Sequence, residues 1–167
     1  MKATWKTASL AAIMISGLCS QTAYAQCMDA KERAAHDMRL LQTQLMVGAL
    51  QCRGRKDLGQ RAYYNEFIRS HRDDLARHGN ALVGYFERSY GQNYKVMLDK
   101  HVTSLANAVS SAVRTTPDFC TKIAQIGARI SQTPNDTHIR VGLPMKIDNT
   151  LGTCLADSKS SPSPNTQ

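Results

Sequence analysis

Apolar residues recur along the middle of this chain at the three- and four-residue intervals of an α-helix, and glycine or proline clusters interrupt them. The first stretch opens on Asp29-Ala30-Lys31-Glu32, the Asp-x-x-Glu form of a capping box, and predicts a helix to about Gln51. Met38, Leu41, Leu45, Gly48 and Cys52 share one stripe of it, and Leu40, Val47 and Leu50 widen that stripe in the second half. Arg53-Gly54 and Gly59 end the pattern. A second helix is predicted from about Gln60 to His78, burying Tyr64, Phe67, Ile68, His71 and Leu75. Gly79 reads as its stop and Asn80 as the cap of a short third helix to about Tyr90, carrying Leu82, Val83, Tyr85 and Phe86. One kinked rod is the other reading of this pair. Gly91 ends it, and Asn93 reads as the cap of a fourth helix to about Val113, with Tyr94, Leu98, Val102, Leu105, Val109 and Ala112 on one face. Thr116-Pro117, a hydroxyl cap followed by proline at the first helical position, predicts a fifth helix to about Ile130. It would bury Phe119, Cys120, Ile123, Ile126 and Ile130.

Both ends depart from this period. Lys2 and Lys6, the apolar run Leu10–Leu18 and Ala23-Tyr24-Ala25 together read as a bacterial-type signal peptide over residues 1–25, cleaved after Ala25. The run is too short for a bilayer, which needs about 20 residues. Residues 134–155 carry Gly142, Pro144 and Gly152 and predict an extended strap. Residues 156–167, ending in DSKSSPSPNTQ, have the composition of a disordered tail. The expected organisation is therefore one all-α domain over residues 26–155, a compact bundle of about five helices, in a protein of the periplasm or the extracellular space.

Four cysteines follow the leader: Cys27, Cys52, Cys120 and Cys154. An even set in an exported chain reads as two disulfides. An unbroken first helix holds Cys27 and Cys52 roughly 30 Å apart at 1.5 Å per residue, and a disulfide needs Cα atoms within about 7 Å. That pairing is excluded, and Cys120–Cys154 falls with it. Cys52–Cys120 with Cys27–Cys154 is favoured, because the fifth helix then runs back along the first and the strap continues without doubling back. Cys27–Cys120 with Cys52–Cys154 stays open and sends the fifth helix the other way.

The chain has 21 lysines and arginines against 13 acidic residues. Losing Lys2 and Lys6 with the leader leaves 19 against 13, a net of +6. Such a surplus favours an anionic envelope component or an acidic protein as partner. Arg53, Arg55, Lys56 and Arg61 form the densest cluster, interrupted only by Asp57, and are the candidate contact. No aromatic is interleaved within it, and no nucleic-acid module signature is present.

Catalytic signatures are missing from the linear order. No C-x-x-C, C-x-x-C-H, G-x-S-x-G or glycine-rich phosphate loop occurs, and no cofactor is implied. His71, Asp74 and His78 are spaced along one side of a helix and form a candidate transition-metal set, opposed by the charges of Arg72 and Arg77. Met38 and Met46 read as core. A pocket joining His71, His101 and a carboxylate would be the basis of an enzyme assembled only in three dimensions.

The run Leu41-Gln42-Thr43-Gln44-Leu45-Met46-Val47-Gly48-Ala49-Leu50-Gln51-Cys52 resembles the first helix of a group of small exported bacterial helical proteins. So do Tyr64-Asn65-Glu66-Phe67, His78-Gly79, Tyr85-Phe86, Tyr90-Gly91 and Thr103-Ser104-Leu105-Ala106-Asn107, so that the resemblance spans roughly residues 27–125. It implies a shared helical fold in the envelope and brings no activity, cofactor or catalytic residue. The functional expectation is a non-enzymatic periplasmic or secreted binding or envelope-accessory protein, the alternative being a helical metal- or small-ligand-binding protein that uses His71, Asp74 and His78.

Overall fold

The computed structural model describes residues 27–132; the leader, the strap, Cys154 and the tail lie outside them. The described chain is all-α. Its helices are α1 (Ala30–Gln51), α2 (Gln60–Ser70), α3 (Arg72–Tyr90), α4 (Tyr94–Val113) and α5 (Phe119–Ser131), with single 3₁₀ turns at Lys56–Leu58 and Gly91–Asn93. α1 begins with the expected capping box. Glu32 N donates to Asp29 Oδ1 at 2.8 Å, and Asp29 N donates to Glu32 Oε2 at 3.0 Å. Two of the donors that a helix start leaves unpaired are satisfied in this way.

The second helix ends at His71, eight residues before the predicted stop. Gly79 and Asn80 lie inside α3, and neither stops nor caps a helix. A glycine inside a helix costs about 1 kcal/mol relative to alanine. Burial of Leu82, Tyr85 and Phe86 beyond it outweighs that cost. At His71 the backbone leaves helical values, while its N–H still donates to the Phe67 carbonyl at 3.0 Å and its carbonyl accepts from Leu75 N at 2.9 Å. α2 and α3 are therefore two segments of one kinked rod. The bend lets α2 pack on α5 as well as α1, whereas α3 packs on α1 and α4.

Two further helix starts differ from expectation. Asn93 makes no side-chain cap; the 3₁₀ turn leads directly into α4. Thr116 and Pro117 precede α5 rather than open it, because Phe119 N donates to the Thr116 carbonyl at 3.3 Å and Asp118 sits at φ 53°. Pro117 thus fills the second position of a β-turn, where its fixed φ is equally at home, and a positive φ follows.

The rods alternate in direction. α2 starts beside the end of α1, where Gln60 Nε2 donates to the Cys120 carbonyl at 2.9 Å, and α3 ends beside the start of α1, where Arg88 pairs with Glu32. α4 returns along α1. α5 runs antiparallel to it, since Cys52 meets Cys120 and Gly48 meets Ile123. The result is an up-down-up-down bundle with α1 central. One core cluster gathers Met38, Leu41, Leu45, Phe67, Val109 and Ile123, among others, around the second half of α1. Another joins Met28, Ala35, Leu82, Tyr85 and Phe86 near its start.

Close approach of α5 depends on two glycines. A Cβ at Gly48 would lie 2.9 Å from Ile123 Cγ2, and one at Gly127 would lie 2.8 Å from Tyr63 Cβ. The expected Cys52–Cys120 disulfide locks the same face, with Cα atoms 5.7 Å apart. The expected pairing of Cys27 with Cys154 concerns a residue outside those described.

Burial also sets a pH limit. The His101 ring on α4 packs against His36 of α1 at 5.1 Å and Phe86 of α3 at 5.3 Å between centroids. Burial, then the nearby His36 and Arg39, pushes its pKa down from 6.5 to about 4. A histidine depressed on folding binds protons more readily in the unfolded chain, so its contribution is complete above pH 6.5 and is lost as pH falls towards 4. The urea midpoint should therefore fall between pH 6.5 and 4.5, and His101→Leu should flatten that slope. An unchanged slope in the variant would assign the acid sensitivity to other groups.

Candidate functional site

The basic cluster lies at the tip of the α1–α2 hairpin. α1 ends at Gln51, Cys52 closes its last turn, and the Arg53–Gly54 turn and the Lys56–Leu58 3₁₀ turn lead to Gly59 at φ 65°. Gly59 then starts α2. Arg53, Arg55, Lys56 and Arg61 are all exposed. Cys52 is buried and bonded to Cys120, so the tip is tied to α5.

Among the described residues only one of the four cations is neutralised locally. Arg55 grips Asp57 with two parallel bonds, Nε to Oδ1 at 3.1 Å and Nη2 to Oδ2 at 2.9 Å. That pair holds the Asp57 carboxyl below its usual value. Arg53, Lys56 and Arg61 make no ion pair among the described residues. They border a hollow of about 490 Å³ that is also lined by Ala49, Cys52, Gln60 and Asn65. A second hollow of about 390 Å³ adjoins it along α1 and α2, lined by Met46, Ala49, Leu50, Arg53, Arg61, Tyr64 and Asn65. Ala49, Arg53, Arg61 and Asn65 belong to both, so the two form one cleft.

The helical period explains how the cleft is built. Met46, Ala49, Leu50 and Arg53 follow the 3-1-3 spacing of one α1 face, and Arg61, Tyr64 and Asn65 follow the 3-1 spacing of the facing α2 stripe. Leu50 corrects the sequence reading. It does not widen the core stripe but stands 64% exposed at the cleft. Met46 is half-buried at the same surface, whereas Met38 is core. Tyr64 lies three residues beyond Arg61, outside the linear basic cluster, so an aromatic neighbour that the order of residues concealed comes from the second helix. The usable signal was the 46-49-50-53 stripe, which falls on a different side of α1 from the Leu41–Leu45–Gly48 stripe.

The other candidates are placed differently. His71 is buried at the α2–α3 kink, with its ring 5.1 Å from that of Phe67. Asp74 is buried and accepts a charge-assisted bond from Arg77. His78 borders a hollow of only about 10 Å³ between α1 and α3, room for about one water. Among the described residues no group of three His, Cys, Asp or Glu side chains is arranged to hold a metal ion. His71 and His101 have different ring neighbours, Phe67 for the first and His36 with Phe86 for the second.

No family model, curated protein or solved structure matches the chain. Fold and site therefore define it only as a small all-α protein with a disulfide-anchored basic cleft. Among the described residues no helix is long and apolar enough to cross a membrane.

Proposed function

We propose that this chain is a non-enzymatic binding protein of the periplasm or extracellular space, and that the α1–α2 cleft is its contact surface for an anionic envelope component or acidic protein. The observation that carries this reading is the lack of local compensation. Arg53, Lys56 and Arg61 surround a concave surface, and the one acidic residue of their loop is already held by Arg55. Such a field raises the local concentration of anions and orients them, and its effect weakens as salt rises. A disulfide is compatible with the oxidising compartments outside the cytoplasm.

The test is recovery of an anionic partner from envelope extract with the disulfides kept oxidised. The triple variant Arg53→Glu, Lys56→Glu, Arg61→Glu should lose the partner, and added salt should elute it from the wild type. These side chains are exposed, so the variant should retain the helical circular dichroism spectrum. Equal recovery by wild type and variant would remove the cleft from any role in binding.

A further inference from the structure

We propose that the α1–α2 cleft takes a free amphipathic carboxylate, a fatty-acid-like anion whose head pairs with Arg53 and Arg61 and whose chain lies along Met46, Ala49, Leu50 and Tyr64. This rests on the cleft being an anion-binding surface and names the ligand class.

The two ends of the cleft differ in chemistry. Arg55 and Lys56 belong only to the tip hollow, and Met46, Leu50 and Tyr64 only to the inner one. Arg53 and Arg61 stand where they join. A purely ionic ligand would leave the apolar half wet, and a neutral apolar ligand would leave two cations unanswered. A molecule carrying a negative charge at one end and a hydrocarbon chain at the other satisfies both. Guanidinium groups suit the head, because their planar fork matches the two oxygens of a carboxylate.

Size and shape agree. The hollows, about 490 and 390 Å³, each fall in the range of roughly 300–1,000 Å³ usual for small-molecule sites. From Met46 to Arg53 the helix advances about 10 Å at 1.5 Å per residue, a length suited to an acyl chain of medium size. Ala49, half-buried and shared by both hollows, is small enough to leave the floor open. A flat bilayer would meet the rim at Leu50 and the arginines, whereas a single chain reaches that floor. Leu50, exposed at 64%, is the largest apolar surface that such a chain would cover.

Isothermal titration of the oxidised protein with dodecanoate tests the assignment. One dodecanoate should bind per chain, while acetate, which carries the charge without the chain, and dodecyltrimethylammonium, which carries the chain with the opposite charge, should bind at least about tenfold more weakly. Ala49→Trp, which fills the floor without touching a charge, and the pair Arg53→Gln, Arg61→Gln should each weaken dodecanoate at least about tenfold. Should Ala49→Trp fail to fold by circular dichroism, the exposed Leu50→Gln replaces it and should also weaken binding. Dodecanoate bound no better than acetate or the ammonium compound, or bound equally by the floor variant, would overturn the proposal. Flotation with phosphatidylglycerol vesicles that survives Ala49→Trp would overturn it in favour of a membrane surface. If the arginine-dependent partner is recovered from extract but dodecanoate does not bind, the ligand class is wrong and the anionic-partner reading stands.

Discussion

Replacing Cys52 and Cys120 with alanine should lower the unfolding free energy by about 4 kcal/mol, the loop-entropy value for a bond across this sequence separation. Small domains have about 5–15 kcal/mol in total, so the loss should be plain in a urea titration. The bond joins the end of α1 to the first turn of α5. Without it, the denatured chain regains the freedom of a loop that contains α2, α3 and α4. Cys52 also lines the tip hollow, so the variant should bind an anionic partner more weakly even where it stays folded. A shift below about 1 kcal/mol would mean that the packing of α5, with Phe119, Ile123, Ile126 and Ile130 in the core, holds it in place without the bond.

The second large effect is expected at the opposite end of α1. Arg88 of α3 makes a bidentate pair with Glu32, donates to the Cys27 carbonyl at 3.3 Å and lies 5.6 Å above the Tyr85 ring. Glu32 is buried and also completes the capping box. Arg88→Met would strand that carboxylate. Breaking a buried pair costs roughly 3–5 kcal/mol, and the half-exposed position of Arg88 argues for the lower figure, about 3 kcal/mol. The pH dependence gives a sharper test. The hydrogen bond from Arg88, helped by Asp29 N and opposed by burial, holds the Glu32 carboxyl below its ordinary 4.5. A depressed acid contributes its stability above pH 4.5 and loses it as pH falls through the lower folded value. In Arg88→Met that cause is gone, and protonation relieves the stranded charge. The stability gap between wild type and variant should therefore narrow on acidification from pH 6 towards pH 3, whereas a gap that stays constant would refute the ion-pair account.

Elements with a strong local cause were legible in the order of residues. The capping box and the unbroken stripe of α1 were enough to exclude Cys27–Cys52, and the requirement for a short return path favoured the Cys52–Cys120 bond that the fold contains. Boundaries decided by packing were not legible. Gly79 has the chemistry of a helix stop, yet Leu82, Tyr85 and Phe86 beyond it bury against α1 and α4 and carry the helix through. His71 has no breaker chemistry, and the rod bends there so that α2 can also reach α5. Pro117 fits either a helix start or a turn, and the chain chose the turn.

The candidate site divides in the same way. Residue order alone determined that Arg53, Arg55, Lys56 and Arg61 would crowd one connection, because charge density is a property of the linear chain and long cations stay solvated wherever that connection lies. Tertiary structure decided which of them are available. Asp57 takes Arg55, α2 swings Arg61 across from Arg53, and the facing stripes of α1 and α2 leave Met46, Leu50 and Tyr64 beside the charges. A single helix cannot form a concave surface. α5, tied by Cys120 to Cys52 and packed through Ile123 on Gly48 of α1 and through its own Gly127 on Tyr63 of α2, braces both helices of the hairpin.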